Sequence, residues 1–130
     1  MKLTRNFALE EFACRDGACV PNDLVANVSR LAAQLQALRD HLGMPIVITS
    51  GYRTPEWNAG RGVSRSRHLT AEAADFRVKG VDVVDLARAV DELVAARRMR
   101  PGGIGLYLPR EGRQLGWLHY DIGPARRWKG

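Results

Sequence analysis

Two histidine–aspartate pairs in the second half of the chain are of the residue types that bind divalent metals. His68 and Asp75 lie in the polar segment SRHLTAEAADFR (residues 66–77), and His119 and Asp121 lie in GWLHYDI (residues 116–122). Two histidines and one carboxylate are a known ligand set for catalytic zinc, in which water takes the fourth position. The remaining carboxylate would be free to act as a general base. Each pair taken alone is more typical of a solvent-exposed loop or strand than of a metal site.

Strand periodicity places two of these residues side by side. In GWLHYDI, alternation puts Trp117, His119 and Asp121 on one face of a strand, and the opposite face is apolar. A strand that starts at Ala73 would present Asp75 in the same way. One face of the predicted sheet is therefore apolar and the other carries the chemistry.

Two helices are predicted to support this sheet. An apolar stripe with spacings of four and three residues predicts a helix in PNDLVANVSRLAAQLQALRDHLG (residues 21–43). We expect Asn22 or Asp23 to cap its start and Gly43 to end it. A second helix is predicted over residues 81–98, with Asp82 as its N-cap.

The remaining segments predict short strands and one long loop. Strands are expected at residues 46–50 (IVITS), 73–78, 104–108 (IGLYL) and 116–122, and a loop at residues 51–66 (GYRTPEWNAGRGVSRS). Trp57 and Trp117 are candidates for either a cleft wall or the core, and Trp128 is assigned to neither. The element order predicts a segregated α+β fold in one domain, residues 1–130, with a small, mostly antiparallel sheet and helices packed on one face.

Composition narrows the class of partner. Twenty lysines and arginines against fourteen acidic residues give a formal charge of +6, which favours anionic partners. No nucleic-acid-binding motif and no apolar run long enough for membrane insertion is present. We expect a monomer. The N-terminus lacks a signal-peptide pattern, so we expect either a phage-type lysin made in the cytoplasm that acts at the cell wall, or a processed periplasmic or secreted form.

The two cysteines flank a turn. Cys14 and Cys19 lie in CRDGAC, where they could form a disulfide across a tight loop. Without a signal peptide, a reduced pair is the default expectation. They lack further cysteine partners for a zinc site.

Three ordered motifs carry a family resemblance. SGYRTPEWN (residues 50–58), SRHLTAEAADF (66–76), and HYDIG (119–123) followed by RRW (126–128) resemble the zinc D-alanyl-D-alanine carboxypeptidase and murein endopeptidase family. That family includes phage endolysins and shares its fold with the hedgehog signalling domain. Its pattern Ser-x-His-x-x-Gly-x-Ala-x-Asp matches at Ser66, His68, Ala73 and Asp75, but Ala71 stands where glycine is usual.

The resemblance implies a role for each matching residue. His68, Asp75 and His119 would bind Zn²⁺, and Arg53 would hold the substrate carbonyl or carboxylate. The implied reaction is hydrolysis of a peptide bond in peptidoglycan stem peptides, by carboxypeptidase or endopeptidase action. The alternative is a catalytically silent, zinc-containing module that binds the cell wall or another partner.

The chain departs from the family pattern at the general base. Many members carry a glutamate three residues before the last histidine ligand, and others a histidine five residues before it; here these positions are Gly116 and Gln114. Asp121 therefore becomes the candidate base. It could instead accept a ring N–H from a ligand histidine and fix its tautomer. Glu72 is a further candidate.

Overall fold

The computed structural model describes residues 1–130 and contains three α-helices and five β-strands. The helices are α1 (Val25–Leu42), α2 (Pro55–Asn58) and α3 (Val83–Ala95). The strands are β1 (Val47–Ser50), β2 (Ala73–Arg77), β3 (Gly103–Tyr107), β4 (Trp117–Asp121) and β5 (Arg126–Lys129). Short 3-10 turns lie at Leu9–Phe12, Asn22–Leu24 and Arg67–Thr70. None of the helices is both long and apolar enough to cross a membrane.

The strands form one sheet in the order β1-β2-β4-β3-β5. All neighbouring strands are antiparallel except β3 and β5, which run parallel. The predicted α+β class with a mostly antiparallel sheet is confirmed. The sequence pattern does not predict β5, because RRWK (residues 126–129) is basic and has no β-branched residue.

Helix α1 ends as expected but starts differently. Gly43 follows the last helical residue with a left-handed φ of 67°. The helix begins at Val25, after a 3-10 turn that already contains Asn22 and Asp23, and its N-cap makes no side-chain hydrogen bond. The predicted cap is therefore wrong, because both candidate residues are taken up in the turn before the helix.

Helix α3 has the predicted N-cap but is shorter than predicted. The Asp82 carboxylate accepts a hydrogen bond of 2.8 Å from the backbone N–H of Val84. The helix ends at Ala95 rather than Arg98, because Arg97 adopts a left-handed φ of 59°.

The sheet buries one face against the long helices. Phe76 on β2 and Leu118 on β4 share a core with Leu31 of α1 and Val90 of α3. Because side chains alternate along a strand, Asp75 and His119 lie on the opposite face. In the β2–β4 pairing these two residues stand directly opposite each other. The helices thus occupy one face and leave the other to the polar residues.

Candidate metal centre and substrate cleft

His68 reaches the sheet from the 3-10 turn Arg67–Thr70. The Ser66 hydroxyl starts this turn by accepting the backbone N–H of His68 at 3.2 Å. The imidazole is buried, and its Nδ1 lies 2.7 Å from the carbonyl oxygen of Gly51. Because a carbonyl oxygen only accepts, Nδ1 carries a ring proton. Nε2 is the nitrogen that faces Asp75, at 3.3 Å from Oδ1.

The turn ends in a strained residue. Ala71 has a left-handed φ of 58° and is buried. This is the position at which the resembling family usually carries glycine. The Cβ of an L-residue is disfavoured in this conformation, so the backbone requirement explains the family preference.

Asp75 and His119 complete a three-residue cluster with His68. The Nδ1 atom of His119 lies 2.9 Å from Oδ1 of Asp75. One potential ligand atom from each of the three buried residues lies within 4.8 Å of the other two. Ligands placed about 2 Å from a tetrahedral zinc ion lie about 3.3 Å from each other. The observed separations of 2.9 and 3.3 Å fit such an ion.

Asp121 lies behind the His119 ring and is fully buried. Its Oδ2 accepts from His119 Nε2 at 2.7 Å and from the Arg126 guanidinium at 3.0 Å. Its Oδ1 accepts the backbone N–H groups of Gly103 at 3.2 Å and Gly123 at 3.0 Å. Both oxygens are therefore engaged, and the ring of His119 separates them from the ligand atoms.

Space for this carboxylate comes from a glycine. A Cβ at Gly103 would lie 2.3 Å from Oδ2 of Asp121, far closer than van der Waals contact. The sequence PGGIG (residues 101–105) thus accommodates a buried charge on the neighbouring strand.

The buried acids remain ionised. Burial by itself would raise the pKa of Asp75, but hydrogen bonds from His119 and His68 hold it well below its usual range. Burial would likewise raise the pKa of Asp121, but the hydrogen bond and charge of His119, the backbone N–H of Gly123 and the charge of Arg126 together lower it. Burial would lower the pKa of His119, yet hydrogen bonds to Asp121 and Asp75 raise it above its ordinary value. Ionised carboxylates are the form that binds cations.

Arg53 braces Asp75. Its Nη2 lies 3.3 Å from Oδ2 of Asp75, its Nε donates to the Ser50 hydroxyl at 3.1 Å, and its Nη1 donates to Oδ1 of Asn58 at 3.3 Å. The side chain is 14% exposed. Each guanidinium nitrogen is thus bonded within the protein, although the residue also lines the cleft. Asn58 lies in α2, inside the stretch predicted as loop; it is the last residue of the first motif, but the resemblance implied no role for it.

Glu72 lies outside the cleft. Its carboxylate accepts from the Thr70 hydroxyl at 2.6 Å and contacts the Arg67 guanidinium at 3.5 Å. The residues that line the cleft do not include it. The structure therefore does not bring Glu72 together with the three candidate ligands His68, Asp75 and His119.

Trp128, which sequence reasoning left unassigned, flanks the metal site. Its ring centroid lies 5.0 Å from that of His119, and its indole N–H donates to the Tyr107 hydroxyl at 2.8 Å. Tyr107 in turn stacks on Trp117 at 4.7 Å. We call Tyr107, Trp117 and Trp128 the aromatic wall. Trp57 instead packs against the core. The one available signal was RRW, which follows HYDIG in the third motif.

A cleft of about 450 Å³ opens above the three ligands. Asp75 is the only carboxylate that lines it, whereas five arginines do so: Arg53, Arg61, Arg65, Arg67 and Arg126. Gly116 and Gln114, where the resemblance leads one to look for a base, are neither acidic nor basic. The cleft is therefore strongly cationic.

Comparison with known proteins places the chain in a peptidase family. A probable peptidoglycan L,D-endopeptidase, MepK, from Haemophilus influenzae is 35% identical over 91 residues, which cover 65% of this chain and 43% of that protein. The chain thus matches less than half of the length of this curated relative. The profile of the family described as Peptidase M15 matches residues 5–112, which include two of the three ordered motifs. The chain belongs to the peptidase M15 family.

Proposed function

We propose that the protein is a zinc-dependent peptidase that hydrolyses a peptide bond in peptidoglycan stem peptides at the cell wall. The observation that carries this proposal is the convergence of His68, Asp75 and His119 on one buried point at the base of an open cleft. Membership of a peptidase family and the named substrate of the relative support it. The name of that relative favours endopeptidase over carboxypeptidase action.

The ligand atoms follow from the hydrogen bonds. His68 would bind through Nε2, because its Nδ1 proton is held by the Gly51 carbonyl. His119 would bind through Nδ1, because its Nε2 proton is held by Asp121. Asp75 would bind through Oδ1, which faces both histidines. These three residues would hold a zinc ion, which would supply Lewis-acid chemistry for the scissile carbonyl and for water near neutral pH.

Asp121 and Arg53 would act on the ligands rather than on the substrate. Of the two roles open for Asp121, we propose the one that fixes the tautomer and orientation of His119, since both of its oxygens are engaged and buried. Arg53 would hold Asp75 in the same way through its contact with Oδ2. Neither residue then serves as the base.

A second candidate function rests on one observation. No carboxylate other than Asp75 lines the cleft, so the chain offers no separate general base next to the ligands. A zinc-containing module that binds the cell wall without cleaving it has the same geometry. Turnover separates the two functions.

The test is digestion of purified peptidoglycan by the zinc-loaded protein, with mass identification of the released peptides. We expect soluble fragments from the wild type and from His41→Ala, because His41 lies on α1 away from the cleft. We expect none from His68→Ala. The fragment masses distinguish loss of a terminal residue from internal cleavage. Zinc binding without any released peptide would favour the silent module.

A further inference from the structure

Three of the five cleft arginines have carboxylate partners within the protein. Arg53 pairs with Asp75 at 3.3 Å. Arg126 pairs with Asp121 at 3.0 Å. Arg67 also has an acidic partner, Glu72, at 3.5 Å. The charges of these three arginines are therefore already balanced.

The other two, Arg61 and Arg65, lack such a partner. Arg61 donates only to the backbone carbonyl of Trp57, at 3.0 Å, and its guanidinium lies 4.0 Å above the Trp57 ring. Arg65 makes no side-chain hydrogen bond and no ion pair, and both side chains are exposed. Two arginines without a carboxylate partner therefore line the cleft, four residues apart in the chain.

Arg61 and Arg65 lie on the β1 side of the cleft. Arg61 directly precedes Gly62, whose backbone packs so tightly on Arg53 that a Cβ would lie 2.8 Å from Nη1, and Arg65 follows three residues after Gly62. Arg53 follows β1 and contacts Asp75 on β2. In the strand order β1-β2-β4-β3-β5, the ring of Trp128 stands at the other edge. The metal ligands thus lie between a basic end and the aromatic wall.

We infer that Arg61 and Arg65 form a carboxylate-binding subsite, and that the substrate is a peptide with a free carboxylate on the segment that lies on the β1 side of the scissile bond. The inference rests on the proposed peptidase function and specifies its substrate. A guanidinium pairs with a carboxylate through two parallel N–H donors. Arg53 is less suited to this role, because three of its five N–H donors are bonded within the protein and its charge is paired with Asp75.

The carboxylate has two chemical sources, the C-terminus of the peptide or a carboxylate carried within it. Three synthetic peptidoglycan stem peptides separate them: one with every carboxylate free, one amidated only at the C-terminus, and one amidated only at the internal carboxylates. The arginine double variant is Arg61→Gln with Arg65→Gln. Its matched control is Arg88→Gln, on the exposed side of α3 and away from the cleft.

We expect the double variant to cleave the fully free peptide with kcat/KM about tenfold lower, the loss of two partly screened ion pairs. The wild type should discriminate by the same factor against one of the amidated peptides, and that peptide identifies the source. The double variant should not discriminate, and the wild-type preference should shrink as salt is added. Equal kcat/KM for all three peptides in the wild type, or the same preference in wild type and double variant, would overturn the inference.

Calorimetric binding of the same peptides to metal-depleted wild-type protein and to the metal-depleted double variant separates this inference from the proposed function. If no peptide is cleaved but the wild type binds the carboxylate form more tightly than the double variant does, the subsite stands and the peptidase proposal fails. If peptides are cleaved and the two proteins bind them equally, the peptidase proposal stands and the subsite fails. Absence of binding to both proteins also overturns the subsite.

Discussion

Asp121→Asn should weaken zinc binding rather than abolish a proton transfer. The carboxylate oxygen Oδ2 accepts from His119 at 2.7 Å and from Arg126 at 3.0 Å, while Oδ1 accepts from two backbone N–H groups. Asparagine has one side-chain oxygen, so it can accept hydrogen bonds either from His119 and Arg126 or from the two backbone N–H groups, but not from both sets. If it keeps the backbone donors, its NH₂ group faces the N–H of His119 and of Arg126. The ring of His119 is then driven towards the tautomer with the proton on Nδ1, the atom assigned to zinc.

The expected decrease in zinc affinity follows from this loss of ring orientation. Removal of a hydrogen-bond partner that orients a ligand histidine typically lowers metal affinity by about 10- to 100-fold. Competition titration with a chromophoric zinc chelator measures this affinity, and activity should return when zinc is in excess. Asp85→Asn, on the exposed surface of α3, is the matched control and should leave the affinity unchanged. An unchanged zinc affinity together with a fall in kcat of about 10² or more would refute this reasoning and identify Asp121 as the base.

Three further outcomes are expected. Ala71→Gly should raise the free energy of unfolding by up to about 1 kcal/mol, because it removes the strain of a positive φ; a lower midpoint in urea would contradict this. Gly103→Ala should lower the free energy of unfolding by about 1–3 kcal/mol, since its Cβ would collide with the Asp121 carboxylate; an unchanged melting temperature would contradict this. Cys19→Ser should leave zinc content and activity at the wild-type level, because Cys19 is an exposed free thiol outside the cleft; zinc loss with intact far-UV circular dichroism would contradict this.

The local pattern of apolar and polar residues in the sequence was enough to predict most of the fold. The strands that carry Asp75 and His119 follow from alternation, because one face of each is buried against the helices. The long helices follow from their apolar stripes and from Gly43. Strand β5 could not be predicted, because its pairing with β3 is parallel and three of its four side chains are basic. Trp128 was left unassigned for the same reason.

The candidate metal ligands could be named from the motifs, but the roles of their neighbours could not. Strand alternation places His119 and Asp121 on one face, yet it does not show that the imidazole ring stands between Asp121 and the cleft. Likewise, the motif around Arg53 suggests a substrate contact. Only the fold shows that Ser50, Asn58 and Asp75 surround its guanidinium. Long-range side-chain contacts of this kind leave no periodic signal in the sequence.

The central claim is that His68, Asp75 and His119 bind one zinc ion per chain, and elemental analysis of purified variants tests it most directly. We predict one zinc per chain in the wild type and in His41→Ala, which keeps all three ligands. We predict that His68→Ala and His119→Ala lose stoichiometric zinc while circular dichroism shows a folded protein. One zinc per chain in both ligand variants, or the same low zinc content in all four proteins, would contradict the claim.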